Sequence, residues 1–390
     1  MANIYPLKCP VQNYAWGKTG SSSAVALLSG QKIDEKSPYA ELWMGTHHKG
    51  PAEVAVEGKS ELLSKKIGQD LPYLFKVLSV AKALSIQAHP DKKLAEKLHK
   101  ERPNVYKDPN HKPEMTCAVT QFEGMCGFRP AAEIAKHFDE YPEFKAIVGE
   151  KVSKAFSSAA AGSDAAKLKA ELKSVFSTIM VAKSGDVKTQ VGLMVKRLGE
   201  QKGCDDLEEL ILRLNKEYPL DVGVFAPLFL NHVVLQPGDA MFLSANEPHA
   251  YLKGDCIECM ACSDNVVRAG LTPKLRDTPT LCSMLTYKAM KPKIMKGDVV
   301  DACSRVYPCP IDEFLLMTSK IAKGKSYDVP KIKGHALFLV YEGSGKGSSS
   351  DGSSVELKKG SVFFLKGGSD LKIEGGEEDV LLYRCSTASE

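Results

Sequence analysis

Nowhere in this 390-residue sequence do eighteen apolar residues run together, so no membrane-spanning helix is expected. The first residues, MANIYPLKCPVQNYAWG, have no basic start leading into an apolar run, and no secretory signal is expected either. Lysine and arginine are never gathered into a run interleaved with aromatics, and the formal charge of +4 is small for this length. A nucleic-acid groove and a membrane surface are therefore poor partners. A Gly-rich phosphate loop of the nucleotide kind is also missing, which argues against ATP or a dinucleotide. The eleven cysteines are odd in number and scattered, not packed into a disulfide framework, so reduced thiols and a cytoplasmic location are expected.

What is present is an ordinary globular composition, 43% hydrophobic and 26% charged. The length exceeds one ordinary core and predicts two or three domains. From Pro72 to Pro90 the run PYLFKVLSVAKALSIQAHP is mostly apolar and β-branched, and reads as paired strands. Between Ala131 and Tyr218 the period changes. Ser163 and Asp164 can cap a helix carrying Leu168, Leu172, Val175, Phe176 and Ile179, and Leu207, Leu210, Ile211 and Leu214 repeat that spacing after Asp205 and Asp206. This stretch is predicted to be a helical insertion between two β-rich regions.

One strand signal has a faint copy of itself. VVLQPGDAMFL, from Val233 to Leu243, agrees with VELKKGSVFFL, from Val355 to Leu365, at five of eleven positions, including the turn glycines Gly238 and Gly360. Two related jelly-roll barrels are the economical reading, which makes the fold class mainly β with a helical insertion. The run GSGKGSSSDGSS, Gly343 to Ser354, reads as a mobile loop within the second barrel.

Gln87 and His89 in SIQAHPDK lie two apart, so in a strand both would face one way. His111 and Glu114 follow in HKPEM, and His249 in NEPHAY. Imidazole nitrogen, carboxylate oxygen and amide oxygen suit zinc or a neighbouring divalent ion. A histidine in a strand is more often a hydrogen-bonded structural residue, and His232 in LNHVV, with no partner at ligand spacing, is read that way. Cys256, Cys259 and Cys262 in CIECMAC lack a second pair at finger distance, and a strand would point Cys256 and Cys259 to opposite faces; they read as buried thiols. Arg268 and Lys274 in a turn-rich segment can hold a sugar phosphate, or can be solvated surface charges.

Taken together, YAWG, PYAELWMGTH, the run ending in SIQAHPDK, HKPEM, GDAMFLSANEPHAYLKGDCIECMACSDNVVRAGLTPK and the late PIDEFLL resemble the type I phosphomannose isomerases, zinc-dependent enzymes of the cupin jelly-roll type. The resemblance implies one zinc per chain held by Gln87, His89, Glu114 and His249, with His111 beside the ligands. It implies a pocket of Ser85, Lys112, Tyr251, Glu258, Asp264, Arg268 and Lys274, in which Arg268, Lys112, Glu258 and His111 are the catalytic candidates. The implied activity is the interconversion of mannose 6-phosphate and fructose 6-phosphate by proton transfer between C1 and C2 through an enediolate, feeding GDP-mannose synthesis and glycosylation. Residues 1–130 and 218–284 would form the catalytic barrel, 131–217 the helical insertion, and 285–390 a C-terminal jelly roll without metal ligands, since KGGSDLKIEGG after Leu365 contains no histidine. A monomer acting on a small sugar phosphate is expected. The base is left open between Lys112 and Glu258. Two rivals remain at this point: an iron oxygenase, whose facial triad would accept His89, Glu114 and His249, and a catalytically silent sugar-binding barrel, against which Lys112, Glu258 and Arg268 stand.

Overall fold

The computed structural model describes residues 2–56 and 59–388. Among them the strands form a nine-stranded and a ten-stranded sheet, together with smaller sheets of four and two strands. The sheets stay open and do not close into barrels, so the mainly β expectation holds while each expected barrel is a stack of open sheets. Ile4–Lys8 pairs with Val362–Leu365 on one side and Glu53–Val56 on the other, which places strands from both ends of the chain in the nine-stranded sheet. Tyr73, Phe75 and Val77 from the ten-stranded sheet and Leu316, Leu337 and Tyr383 from the other share one core. The Tyr73 hydroxyl donates to the Cys385 carbonyl at 3.0 Å, so even the polar tip of that ring is satisfied inside the core.

The strand His249–Ala261 organises the ten-stranded sheet. Its start pairs with Gln87, and Gly254 to Ala261 pair with Val80 to Tyr73. Tyr73–Val80 and Ile86–Ala88 are thus both strands, but each pairs with this long strand and not with the other, because its thirteen residues are long enough to serve two partners. Gly254 lies at φ 114°, and a Cβ there would sit 2.5 Å from the Gln121 carbonyl oxygen. Only glycine fits this point, where the strand changes neighbours.

The helical stretch runs from Ala131 to Glu217. Asp164 caps Ala165–Val181 by accepting from the amides of Ala166 and Lys167, and Asp205 with Glu208 forms a capping box on Asp206–Glu217. Each cap is worth about 1 kcal/mol. Leu172, Val175, Phe176 and Ile179 are buried as their spacing demands. The chain leaves the sheet at Phe128 and returns at Leu230, and these two residues pair with each other. Ile86, Ala88 and Leu271 belong to the core of the helices, which therefore buttress the strand bearing Gln87.

The two copied segments do share a geometry. In each, a strand ends, a glycine at φ 87° turns the chain, and the next strand joins a different neighbour: Leu230–Leu235 passes to Ala240–Leu243, and Ser354–Lys358 to Val362–Leu365. GSGKGSSSDGSS is not the expected loop. Ser344–Ser348 is a strand between Ser354–Lys358 and Lys372–Gly375. Its glycines answer to crowding: a Cβ on Gly345 would meet the Glu374 carbonyl oxygen at 2.2 Å, and one on Gly347 would meet Val355 at 3.1 Å.

Candidate metal centre and cleft

Three strand ends meet at one point. Ile86–Ala88 delivers His89 immediately after it, Glu114 opens Glu114–Ala118, and His249 opens His249–Ala261. All three side chains are buried, with 1–2% of each residue exposed. His89 Nε2 lies 3.4 Å from one Glu114 oxygen and His249 Nε2 lies 3.2 Å from the other. The other ring nitrogens are spoken for: His89 Nδ1 donates to the Asn265 carbonyl at 2.7 Å, and His249 Nδ1 to the Glu247 carbonyl at 3.1 Å. A carbonyl only accepts, so each Nδ1 carries the proton and each Nε2 turns a lone pair toward Glu114.

His89 Nε2, His249 Nε2 and Glu114 Oε2 are buried without a hydrogen-bond partner. Orphaned groups of this kind are costly in a folded interior. A divalent cation between them removes the cost, and the donor set of two imidazoles and a carboxylate suits zinc. Burial pushes the His89 imidazole down to about 4 against the pull of Glu114, so the ring is a neutral ligand near pH 7. Burial would raise the Glu114 carboxyl, but its neighbours, with Lys112 as the standing positive charge, outweigh it and hold Glu114 well below the usual carboxylate range. Lys112 Nζ stands 3.3 Å from Glu114.

A cleft of about 340 Å³ opens beside this cluster. Ser85, Lys112, Asp264, Arg268 and Lys274 line it, so five of the expected pocket residues share one cavity with the expected ligand Gln87. Gln87 is opposite both His249 and Arg268 in register, between the cluster and the guanidinium strand. Arg268 is half-buried, and burial lowers its pKa; among the described residues no carboxylate lies within ion-pair reach of it. Asp264, the partner that would have given Arg268 a purely structural role, instead meets Lys49 at 2.7 Å.

The remaining expected residues sit elsewhere. Glu258 and Tyr251 do not line the cleft: the Tyr251 hydroxyl donates to Glu258 at 2.8 Å, and both are buried behind Lys76. Burial raises the Glu258 carboxyl even against the attraction of Lys76. His111, expected beside the ligands, pairs through Nε2 with Glu313, the acid of the PIDEFLL segment, and is also outside the cleft.

Sequence reasoning missed Lys76, Glu41 and Trp43. Lys76 Nζ is 3.1 Å from Glu258, 3.5 Å from Glu41 and 5.1 Å from the centre of the Trp43 ring, and it faces the cleft. Burial works against its charge, but the two carboxylates more than compensate and keep it protonated. The signal was available: Lys76 is the only charge in the fully buried strand Tyr73–Val80, and a buried lysine needs acidic partners.

A second group of possible ligands, His47, His48 and Asp264, differs from the first. His47 Nδ1 accepts from the Lys49 amide at 3.3 Å, which leaves the proton on Nε2, and the Lys49 ammonium already answers Asp264. This is a satisfied ion-pair group. His232 stands 3.6 Å from Glu123 and joins no ligand group among the described residues. Cys256 and Cys259 are free, buried strand residues, and Cys262 is free and half-buried.

Residues 4–131 match the catalytic domain of phosphomannose isomerase type I, and residues 147–230 match the helical insertion domain of the same family. Mannose-6-phosphate isomerase 2 of Arabidopsis thaliana is 42% identical, the match covering 99% of this chain and 94% of the relative. The human mannose-6-phosphate isomerase is 41% identical, with 98% of each chain covered. The crystal structure of mannose 6-phosphate isomerase from Salmonella typhimurium bound to its substrate, fructose 6-phosphate, and zinc superimposes with a TM-score of 0.83 at 30% identity, covering 99% of this chain and 100% of that one.

Proposed function

The chain belongs to the type I phosphomannose isomerases, and from that premise we propose that it interconverts mannose 6-phosphate and fructose 6-phosphate by moving a proton between C1 and C2 through an enediolate. The observation that carries the reading is the convergence of His89, Glu114 and His249, orphaned and buried, beside a cleft lined by Arg268, Lys112 and Lys274. Family membership removes the iron oxygenase and the silent sugar-binding barrel.

His89, Glu114 and His249 would hold zinc, with Gln87 as the fourth ligand. Bound there, zinc supplies a Lewis acid that polarises a substrate oxygen. Arg268, without an ion-pair partner among the described residues, offers its guanidinium to negative charge on the substrate, and Lys274, exposed at the rim, recruits the phosphate. Lys112 Nζ lines the cleft and is the group we assign to move the proton. Glu258 lies behind Lys76 and acts on the cleft through it, as a positioning residue. Ser85 and Asp264 shape the wall, and Tyr251 steadies Glu258. Ring opening is not assigned to His111, which Glu313 holds away from the cleft.

The catalytic unit would comprise residues 1–130 and 218–284, interrupted by the insertion at 131–217 and followed by a C-terminal unit from 285. The product would feed GDP-mannose synthesis. Eleven free cysteines support a cytoplasmic location, and no described helix is long and apolar enough to cross a membrane. We take the monomer as the working unit.

A coupled assay tests the reading. Mannose 6-phosphate should be turned over and free mannose should be a poor substrate; equal catalytic efficiency on the two rejects it. Lys274→Ala should chiefly raise KM, because it removes binding common to ground and transition states. A fall in kcat at unchanged KM would move Lys274 into the reacting centre.

A further inference from the structure

Asn265 belongs neither to the ligand set nor to the cleft wall, yet it is 1% exposed and joins three parts of the site. Its main-chain carbonyl accepts from His89 Nδ1 at 2.7 Å. Its side-chain nitrogen donates to the Asp108 carbonyl at 2.7 Å and the Asn110 carbonyl at 3.0 Å, with the Asp108 carboxylate at 3.3 Å. Its own amide donates to Ser263 Oγ at 3.1 Å, and that hydroxyl donates in turn to the Asn110 carbonyl. The surrounding oxygens fix which way the side-chain amide points, since its oxygen turned the other way would face acceptors only.

From this geometry we infer that Asn265 is the positioning residue for the metal ligand His89. The inference rests on the metal-centre reading above. Residues 108–110 lead into Lys112 and Glu114, and Asn265 leads into Val267–Gly270, the strand of Arg268. The side-chain amide therefore clamps the loop before one ligand to the loop whose carbonyl orients another. Fixing that carbonyl fixes both the tautomer and the ring plane of His89, so its Nε2 lone pair is aimed, with the Glu114 oxygens, at the place a cation would take. Groups that hold a ligating histidine by its far nitrogen typically account for 10- to 100-fold in metal affinity. Backbone conformation alone does not secure the carbonyl here, because the segment from Cys262 to Val266 is neither helix nor strand.

The test measures zinc affinity by competition with a chelator for Asn265→Asp and Asn265→Ser, together with the visible spectrum of the cobalt-loaded proteins and melting temperature without metal. Asn265→Asp sets a carboxylate against three oxygens, and Asn265→Ser leaves the clamp open without adding charge. We expect zinc to bind 10- to 100-fold more weakly and the cobalt bands, which report ligand geometry, to shift. Asn231→Ser is the matched control: Asn231 is also a buried clamp, donating to the carbonyls of Cys126, Phe128 and Met290, but none of these carbonyls accepts from the side chain of a ligand. It should lower the melting temperature and leave zinc affinity unchanged. Wild-type zinc affinity and an unshifted cobalt spectrum in a folded Asn265→Ser protein overturn the inference, as does an equal loss of affinity in Asn231→Ser. His249→Ala separates the two levels of argument. Undiminished zinc binding in that variant sinks the metal centre itself, whereas its loss beside an unaffected Asn265→Ser sinks only the role of Asn265.

Discussion

Replacing His249 with alanine leaves a protein that retains little zinc and loses turnover by about three orders of magnitude or more. The size follows from the role: a catalytic cation contributes several kcal/mol of charge stabilisation in the transition state, and each 1.4 kcal/mol is a tenfold in rate. The variant keeps His89 and Glu114 but loses the nitrogen 3.2 Å from the second carboxylate oxygen, so one of the three donors that would hold the cation is gone. Stripping the wild type with a chelator should have the same effect on turnover, and zinc should restore the wild type alone. Elemental analysis beside a coupled isomerase assay decides it. A protein shown to be metal-free that still turns over at the wild-type rate removes zinc from the reaction.

Arg268→Ala should cost on the order of 100-fold in kcat, because a preorganised, partly desolvated donor facing developing negative charge typically contributes that much. Lysine should rescue poorly, since it lacks the planar fork. The competing view, that Arg268 merely pairs with Asp264 to shape its loop, lost its geometric basis when Asp264 turned to Lys49. Removal of Arg268 therefore breaks no ion pair with a described carboxylate, and melting temperature should change little while kcat collapses. Measuring kcat, KM, zinc content and melting temperature for both variants separates the possibilities. A folded, zinc-loaded Arg268→Ala enzyme with near-normal kcat and a raised KM would make the residue a phosphate anchor.

Short-range chemistry made much of this legible before any coordinates. Helix caps at Asp164 and Asp205 act within three residues, and the apolar spacing behind them reports one buried face. His89 stood out through its two-residue spacing from Gln87 in a strand, and Glu114 and His249 joined it as ligands through the family resemblance that HKPEM and NEPHAY carry. What failed to show depended on distant neighbours. The partners of Lys76 come from Glu41 and Glu258, one at each side of its strand, and no local pattern announces such a pairing. The family resemblance places Glu258 in the cleft; in the structure Lys76 lines the cleft and Glu258 pairs with it. Gly345 and Gly347 looked like flexibility because glycine has two opposite uses, freedom of the backbone and close approach, and only packing distinguishes them.

The pairing of Phe128 with Leu230, flanking the helical stretch, also bears on how the chain reaches its folded state. Two strands that lie side by side are separated in sequence by about a hundred residues, a loop whose closure as an unstructured coil carries an entropic penalty that grows with its length. The helices between them make mostly local contacts and can form early. Once Phe144, Phe176 and Phe229 have packed together, the two strand ends are presented to each other and the long closure is already accomplished. The insertion is thus placed to template the sheet that bears His249 during folding, as well as to buttress the finished site. A substitution deep among the helices, such as Phe176→Ala, would then slow assembly of a metal centre it does not touch.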